Sequence, residues 1–172
     1  QVVLHLSGLH GKEQLASLEG SGAALGSLHP LQTVSDPETA PERWRGAYAA
    51  IEGDDRACRE GERLAQLLGL VPFRLGPGQK AAYLAGAVMV GNYSVALAGA
   101  AARLAREAGV PVELAAKMYL PLLAGALENL GRQPTAAALT GPVRRGDLNT
   151  IREHLEALTA DDRMLYAVLG LE

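Results

Sequence analysis

Cysteine is almost missing from this chain: Cys58 is the only one in 172 residues. One subunit can therefore build neither an internal disulfide nor a thiolate zinc site. Cys58 lies in a charged helical pattern without a nucleophile motif and reads as an inert thiol. No signal-peptide pattern is visible either, so a reducing cytoplasm is the expected location. Aromatic residues make up only 4% of the chain, no basic block occurs, and the net charge is −3. Nucleic-acid binding is not expected, because both the electrostatic footprint and the base-stacking platform are absent. No acidic cluster or His-x-x-x-His pair suggests a metal site. Charge itself is missing over one long stretch, the 22 residues from Ala81 to Ala102.

That stretch organises the chain. It follows the Gly76-Pro77-Gly78 turn and Lys80, and its polar interior groups are Tyr83, Asn92, Tyr93 and Ser94. Its length would allow a membrane span. Its composition is mostly Ala and Gly, which gain little on transfer to lipid, so no membrane helix is expected. A helix apolar on all faces must instead be covered by its own domain or by a second copy. Gly86, Gly91 and Gly99 leave room for close helix approach, and a homodimer built on this helix is the expectation.

The chain is 48% apolar, enough for a sizeable core. The run Val2 to Leu6 reads as a buried strand closed by Ser7-Gly8, followed by a helix from about Lys12 to Leu18. Ala23 to Leu28 is a second strand, expected to stop at His29-Pro30 because Pro30 cannot donate to a ladder. Leu31 to Arg45, with Pro37 and Pro41, reads as loop with at most a turn of helix. Ala47 to Ile51 and Val71 to Leu75 complete four strands, with a helix capped by Asp54 between them. The pattern indicates a largely parallel α/β layer.

After Gly76 only helices are predicted. Pro111 opens one, Pro121 kinks or divides it, and Pro134 to Leu139 is a short one. Asp147 caps a helix to Leu158, and Thr159 with Asp162 forms a capping pattern for the last. The fold class is thus α/β then all-α, with residues 1–76 as the later half of a Rossmann-like layer and 77–172 as a helical dimerisation or substrate domain.

In an open α/β sheet, ligands sit at the carboxyl ends of strands. Ser7, His29 and Glu52 fall at three such ends, and Lys80 begins the helix that leaves the sheet. One reading gives His29 and Lys80 proton-transfer or anion-binding roles in a shared cleft, with Tyr83 and Asn92 on its helical side. The other makes Ser7 and His29 turn caps and Lys80 an exposed, solvated charge. Asn92 needs hydrogen-bond partners in a charge-free helix, either across a dimer seam or on a ligand. His5 reads as a satisfied strand residue, and His10 and His154 as surface residues. Arg144 and Arg145 near Thr140 either hold an anion or mark a solvated helix entrance. The fingerprint G-x-G-x-x-G after a first strand is absent.

The segments Leu4-His5-Leu6-Ser7-Gly8, Gly26-Ser27-Leu28-His29-Pro30-Leu31-Gln32, Ala50-Ile51-Glu52-Gly53, Lys80/Tyr83/Asn92-Tyr93, Leu127-Glu128-Asn129 and Leu139-Thr140-Gly141-Pro142 carry a resemblance. In this order, with Arg145-Gly146-Asp147 behind them, the chain resembles a family of poorly characterised proteins. These pair an N-terminal Rossmann-like NAD(P)-binding domain with a C-terminal helical domain of unknown function. The family is similar to 6-phosphogluconate dehydrogenase-like enzymes, including pyrroline-5-carboxylate reductase and prephenate dehydrogenase. In those, a helical domain dimerises and closes the nicotinamide cleft.

The resemblance implies an NADP- or NAD-dependent oxidoreductase-like protein acting on a small molecule. The catalytic candidates are Lys80 and His29, with Ser7, Gly8, Pro30, Tyr83, Asn92 and Thr140 as binding candidates. Family members are longer at the N-terminus, where the Gly-rich loop lies, so the chain looks like the later part of the layer plus the helical domain. Lys80 is similar to the acid/base lysine of β-hydroxyacid dehydrogenases. Leu84, however, stands where those enzymes have an asparagine, and where the resembled family often has a histidine. A non-catalytic dimerisation or ligand-sensing module with a dehydrogenase-like shape is the alternative.

Overall fold

The computed structural model describes residues 1–36, 38 and 40–171. Four strands form one sheet in the order β1-β2-β3-β4: β1 is Val2–His5, β2 Ala24–Leu31, β3 Tyr48–Gly53 and β4 Val71–Arg74. β1 and β2 are parallel, as are β3 and β4. β2 and β3 between them are antiparallel. The sheet is therefore largely parallel with one reversal, which the Pro-containing connection through α1 (Ala40–Trp44) makes without a crossover helix. Pro37, placed above in the loop from Leu31 to Arg45, lies outside the described residues.

β2 does not stop at His29 but runs through Pro30 to Leu31. The register explains why. Leu25 turns its backbone toward β3, with its carbonyl accepting from Asp54 N–H and its N–H donating to Asp54 Oδ2. By the two-residue alternation of a strand, Pro30 then faces the other edge. β1 pairs with β2 only as far as Ser27, so no partner there misses a donor.

Lys12–Leu18 winds as a 3₁₀ helix between β1 and β2. α2 (Asp55–Leu67) buries Ala57, Cys58, Gly61 and Ala65 on the sheet. The core is Leu28, Ala49, Ile51, Cys58, Ala65 and Leu70, with Leu4, Trp44, Ala47 and Leu64 packed around it. Asp54 stands at the N-cap of α2, but its carboxylate makes no cap bond. It accepts instead from Leu25 N–H and from Lys12 Nζ at 2.6 Å, tying the loops at one sheet end together.

The long apolar run is one helix, α3, Lys80–Glu107, 28 residues. By length and composition it could cross a membrane, with a mean hydropathy of 1.5 over its most apolar window. The chain divides within it into two compact units, Gln1–Ser94 and Val95–Glu172. The second unit continues with α4 (Val112–Ala115), α5 (Leu120–Arg132), α6 (Thr135–Ala138), α7 (Gly141–Arg145), α8 (Leu148–Ala157) and α9 (Ala160–Leu169). Pro121 lies at the start of α5, dividing the segment that Pro111 opens. Asp147 and Thr159 cap α8 and α9 through the Thr150 and Asp162 N–H groups. Asp162 is buried and accepts from both terminal nitrogens of Arg103 at 2.7 Å, fixing α9 to α3.

Candidate functional site

A polar cluster lies in the first unit where the turn after β1, the middle of β2 and the first two turns of α3 meet. Lys80, which one reading made a cleft residue and the other an exposed, solvated charge, is only 3% exposed. Its Nζ donates to the Ser7 carbonyl at 2.5 Å and to Ser27 Oγ at 2.8 Å. Burial holds the ammonium below its usual pKa, while the negative charge of Glu52 pulls the other way. Glu52 is buried as well and accepts from Lys12 N–H at 2.7 Å.

One turn further along α3, Tyr83 Oη lies 3.1 Å from His29 Nδ1, and the two rings meet edge to face with centroids 5.8 Å apart. Phe73 of β4 also meets the Tyr83 ring edge to face, with centroids 5.8 Å apart. Burial, then the Lys80 charge, pushes the His29 pKa below its ordinary value of 6.5. Burial pushes the Tyr83 phenol up from 10.0. At neutral pH both groups are uncharged. The pair can therefore share one proton, with Tyr83 O–H donating to a ring nitrogen that accepts.

Gly8 completes the arrangement from below the ring. A Cβ there would stand 2.8 Å from His29 Nε2 and 2.9 Å from Cε1. Any side chain at this position would displace the imidazole, so Lys80, by gripping the Ser7 carbonyl, holds the one residue that lets His29 sit where it does.

A cavity of about 710 Å³ opens beside this pair. From β2 and the turn after it come His29, Leu31, Gln32 and Thr33. From α3 come Tyr83, Leu84, Gly86, Ala87, Val88, Val90, Gly91 and Asn92. Its volume is in the range of small-molecule sites. The structure thus brings His29, Tyr83 and Asn92 to one cavity. Lys80 is not among its lining residues, because its ammonium is turned to Ser7 and Ser27.

The other candidates fall elsewhere. Ser7 Oγ accepts the Leu9 and His10 N–H groups. Pro30 pairs with Ala49 in the sheet. Thr140 belongs to the second unit, at the N-cap of α7 without a side-chain cap bond. Sequence reasoning missed Ser27 as a participant. Its signal was a hydroxyl inside an apolar strand, where a buried polar group needs a partner. Gln32 and Thr33 were missed because they lie in the turn that prolongs β2. His5 is satisfied as expected: its Nε2 lies 2.8 Å from the Gly11 carbonyl, and its Nδ1 accepts from Ser7 N–H.

The chain thus pairs a short α/β layer with a helical half. The chain belongs to the family defined by a domain of unknown function, DUF2520, whose model matches residues 47–172. Among solved structures it is similar to protein TM1727 from Thermotoga maritima, at 27% identity and a TM-score of 0.83, over 98% of this chain and 66% of that one. It also shares its fold with BF3122 from Bacteroides fragilis, a protein named as a candidate NADP oxidoreductase. That match has 22% identity and a TM-score of 0.72, over 98% of this chain and 63% of that one. The chain therefore spans just under two thirds of the length of both structures. No curated protein matches it.

Proposed function

We propose that this chain forms the substrate side of an NAD(P)-dependent oxidoreductase-like protein, acting in the cytoplasm as a homodimer whose helical unit closes a small-molecule cleft. The observation that carries the reading is the His29–Tyr83 pair on the wall of a ligand-sized cavity. Tyr83 Oη, whose own proton lies toward the neutral His29 ring, accepts the proton of a substrate hydroxyl as the phenol proton passes to His29 Nδ1, and the reverse transfers return it. Lys80 acts as a positioning residue through Ser7, Ser27 and Gly8. The fold shared with a protein named as a candidate NADP oxidoreductase supports the class.

NADP or NAD, when bound, would supply hydride transfer. The residues described here do not fit its phosphates, since the Leu9 and His10 amides after β1 are already taken by Ser7 Oγ. A non-catalytic dimerisation or ligand-sensing module with a dehydrogenase-like shape is the second reading.

Dimerisation rests on the exposed apolar surface of α3, where Met89 is 61%, Val90 71% and Val95 73% exposed. Apolar faces of this kind mark association sites in soluble proteins. Determining the encoding reading frame, then titrating NADPH and NADH fluorescence against the chain it encodes, separates the two readings. Saturable binding supports the oxidoreductase. A frame that starts at Gln1 together with no binding leaves the sensing module.

A further inference from the structure

We propose that the cavity beside His29 and Tyr83 takes an electrically neutral, mostly aliphatic molecule bearing one carbonyl or hydroxyl group, and rejects carboxylates and phosphates. This rests on the reading of the cavity as the substrate site and names the substrate class. Among the described residues no Lys, Arg, Asp or Glu lines it. The nearest cation in the sequence of α3, Lys80, is committed to the Ser7 carbonyl and Ser27 Oγ and is buried there. An anion entering the cavity would lose its hydration without meeting a positive partner, which is the costliest way to bury a charge.

The neutral polar groups are few and directional. The Gln32 amide is consumed within the protein, donating to the Arg43 carbonyl and accepting from Thr33 N–H and Oγ1. That leaves the His29–Tyr83 pair to hold the ligand oxygen, while the Asn92 amide, which has no hydrogen bond to a described residue, lines the same cavity. The remaining walls are apolar or small, with Gly86 and Gly91 widening the space along the helix. A ligand is thus gripped at one polar end and covered by hydrocarbon elsewhere.

The test uses two probes of one shape, cyclohexanecarboxamide and cyclohexanecarboxylate, titrated at neutral pH into the protein while the amide signals of Thr33, Gly86 and Gly91 are followed by NMR. The expected result is saturable shifts at these residues, with the carboxamide binding roughly tenfold or more tightly. Thr33→Lys, at an exposed position on the rim, should reverse the order by supplying the missing cation. Equal or tighter carboxylate binding in the unaltered protein overturns the proposal, as does the absence of carboxamide shifts at 50-fold its expected millimolar range. If the carboxamide binds but NADPH and NADH do not bind the product of the full reading frame, the ligand class stands and the oxidoreductase reading falls. If the nucleotide binds and the carboxylate is preferred, only the ligand class falls.

Discussion

The two units of this chain solve the same burial problem differently. Among the described residues of Gln1–Ser94, nine apolar ones are buried, from Leu25 to Leu70, and Ile51 is wholly inaccessible. In Val95–Glu172 the buried apolar residues are Ala105, Ala115 and Ala138, while Leu122, Leu127, Leu148, Met164 and Val168 stand exposed. Alanines gain little from burial and exposed leucines gain nothing. The sheet unit has the larger buried core, and it carries the buried Lys80 cluster and the His29–Tyr83 pair, although Met89 and Val90 of α3 stand exposed in it as well. The helical unit holds together locally, through caps and the Arg103–Asp162 pair, and leaves its large side chains for another surface.

The contrast can be broken first at its strongest point. Ile51→Ala should lower stability by about 2–5 kcal/mol in urea denaturation, because a core this closed cannot collapse onto the void. Leu122→Ala in the helical unit should change a dilute sample by less than about 0.5 kcal/mol. Comparable losses would mean that the units do not differ as described. Next, Lys80→Met should cost about 1–3 kcal/mol, since Ser7 O and Ser27 Oγ lose their donor in a buried place. It should also raise the His29 pKa seen by NMR, because the nearby positive charge is gone. A solvated lysine would move neither.

Acid acts on Asp162 and on His29 in separate windows. Asp162 is held down to about 2 from 3.8 by Arg103 and then Thr159, so its contribution is complete above 3.8 and lost as pH falls toward 2. The loss should appear in the helical unit, and Asp162→Asn should remove it. His29 has a depressed folded pKa, so between that value and 6.5 the unfolded chain binds a proton that the folded chain does not. Its contribution is full above 6.5 and falls as pH drops through that window. His29→Gln should flatten this smaller step in the urea midpoint between pH 7.5 and 5.5.

Much of the architecture was legible because it follows from local rules. Alternation and β-branched runs marked all four strands, and Pro, Asp and Thr marked the helix starts. The extension of β2 through Pro30 was not legible. It depends on how far β1 reaches, which is a property of register rather than of Pro30 itself. Tyr83, Asn92 and His29 could be brought to one place by combining the late position of His29 in its strand with the Gly76-Pro77-Gly78 turn before the long helix. The burial of Lys80 could not, because it requires Ser27 and the Ser7 carbonyl to converge from strands 20 residues apart in the sequence. Asp54 shows the same limit: its position announced a helix cap, while its carboxylate serves Leu25 and Lys12.

The central claim, that the helical unit and the exposed face of α3 are completed by a second copy, is tested most directly by sedimentation equilibrium at micromolar concentration. The account predicts a species of twice the 18.0 kDa chain mass. It further predicts that Val95→Glu, a charge placed on that face, shifts the protein to the single-chain mass without unfolding the sheet. A single-chain mass for the unaltered protein would contradict it.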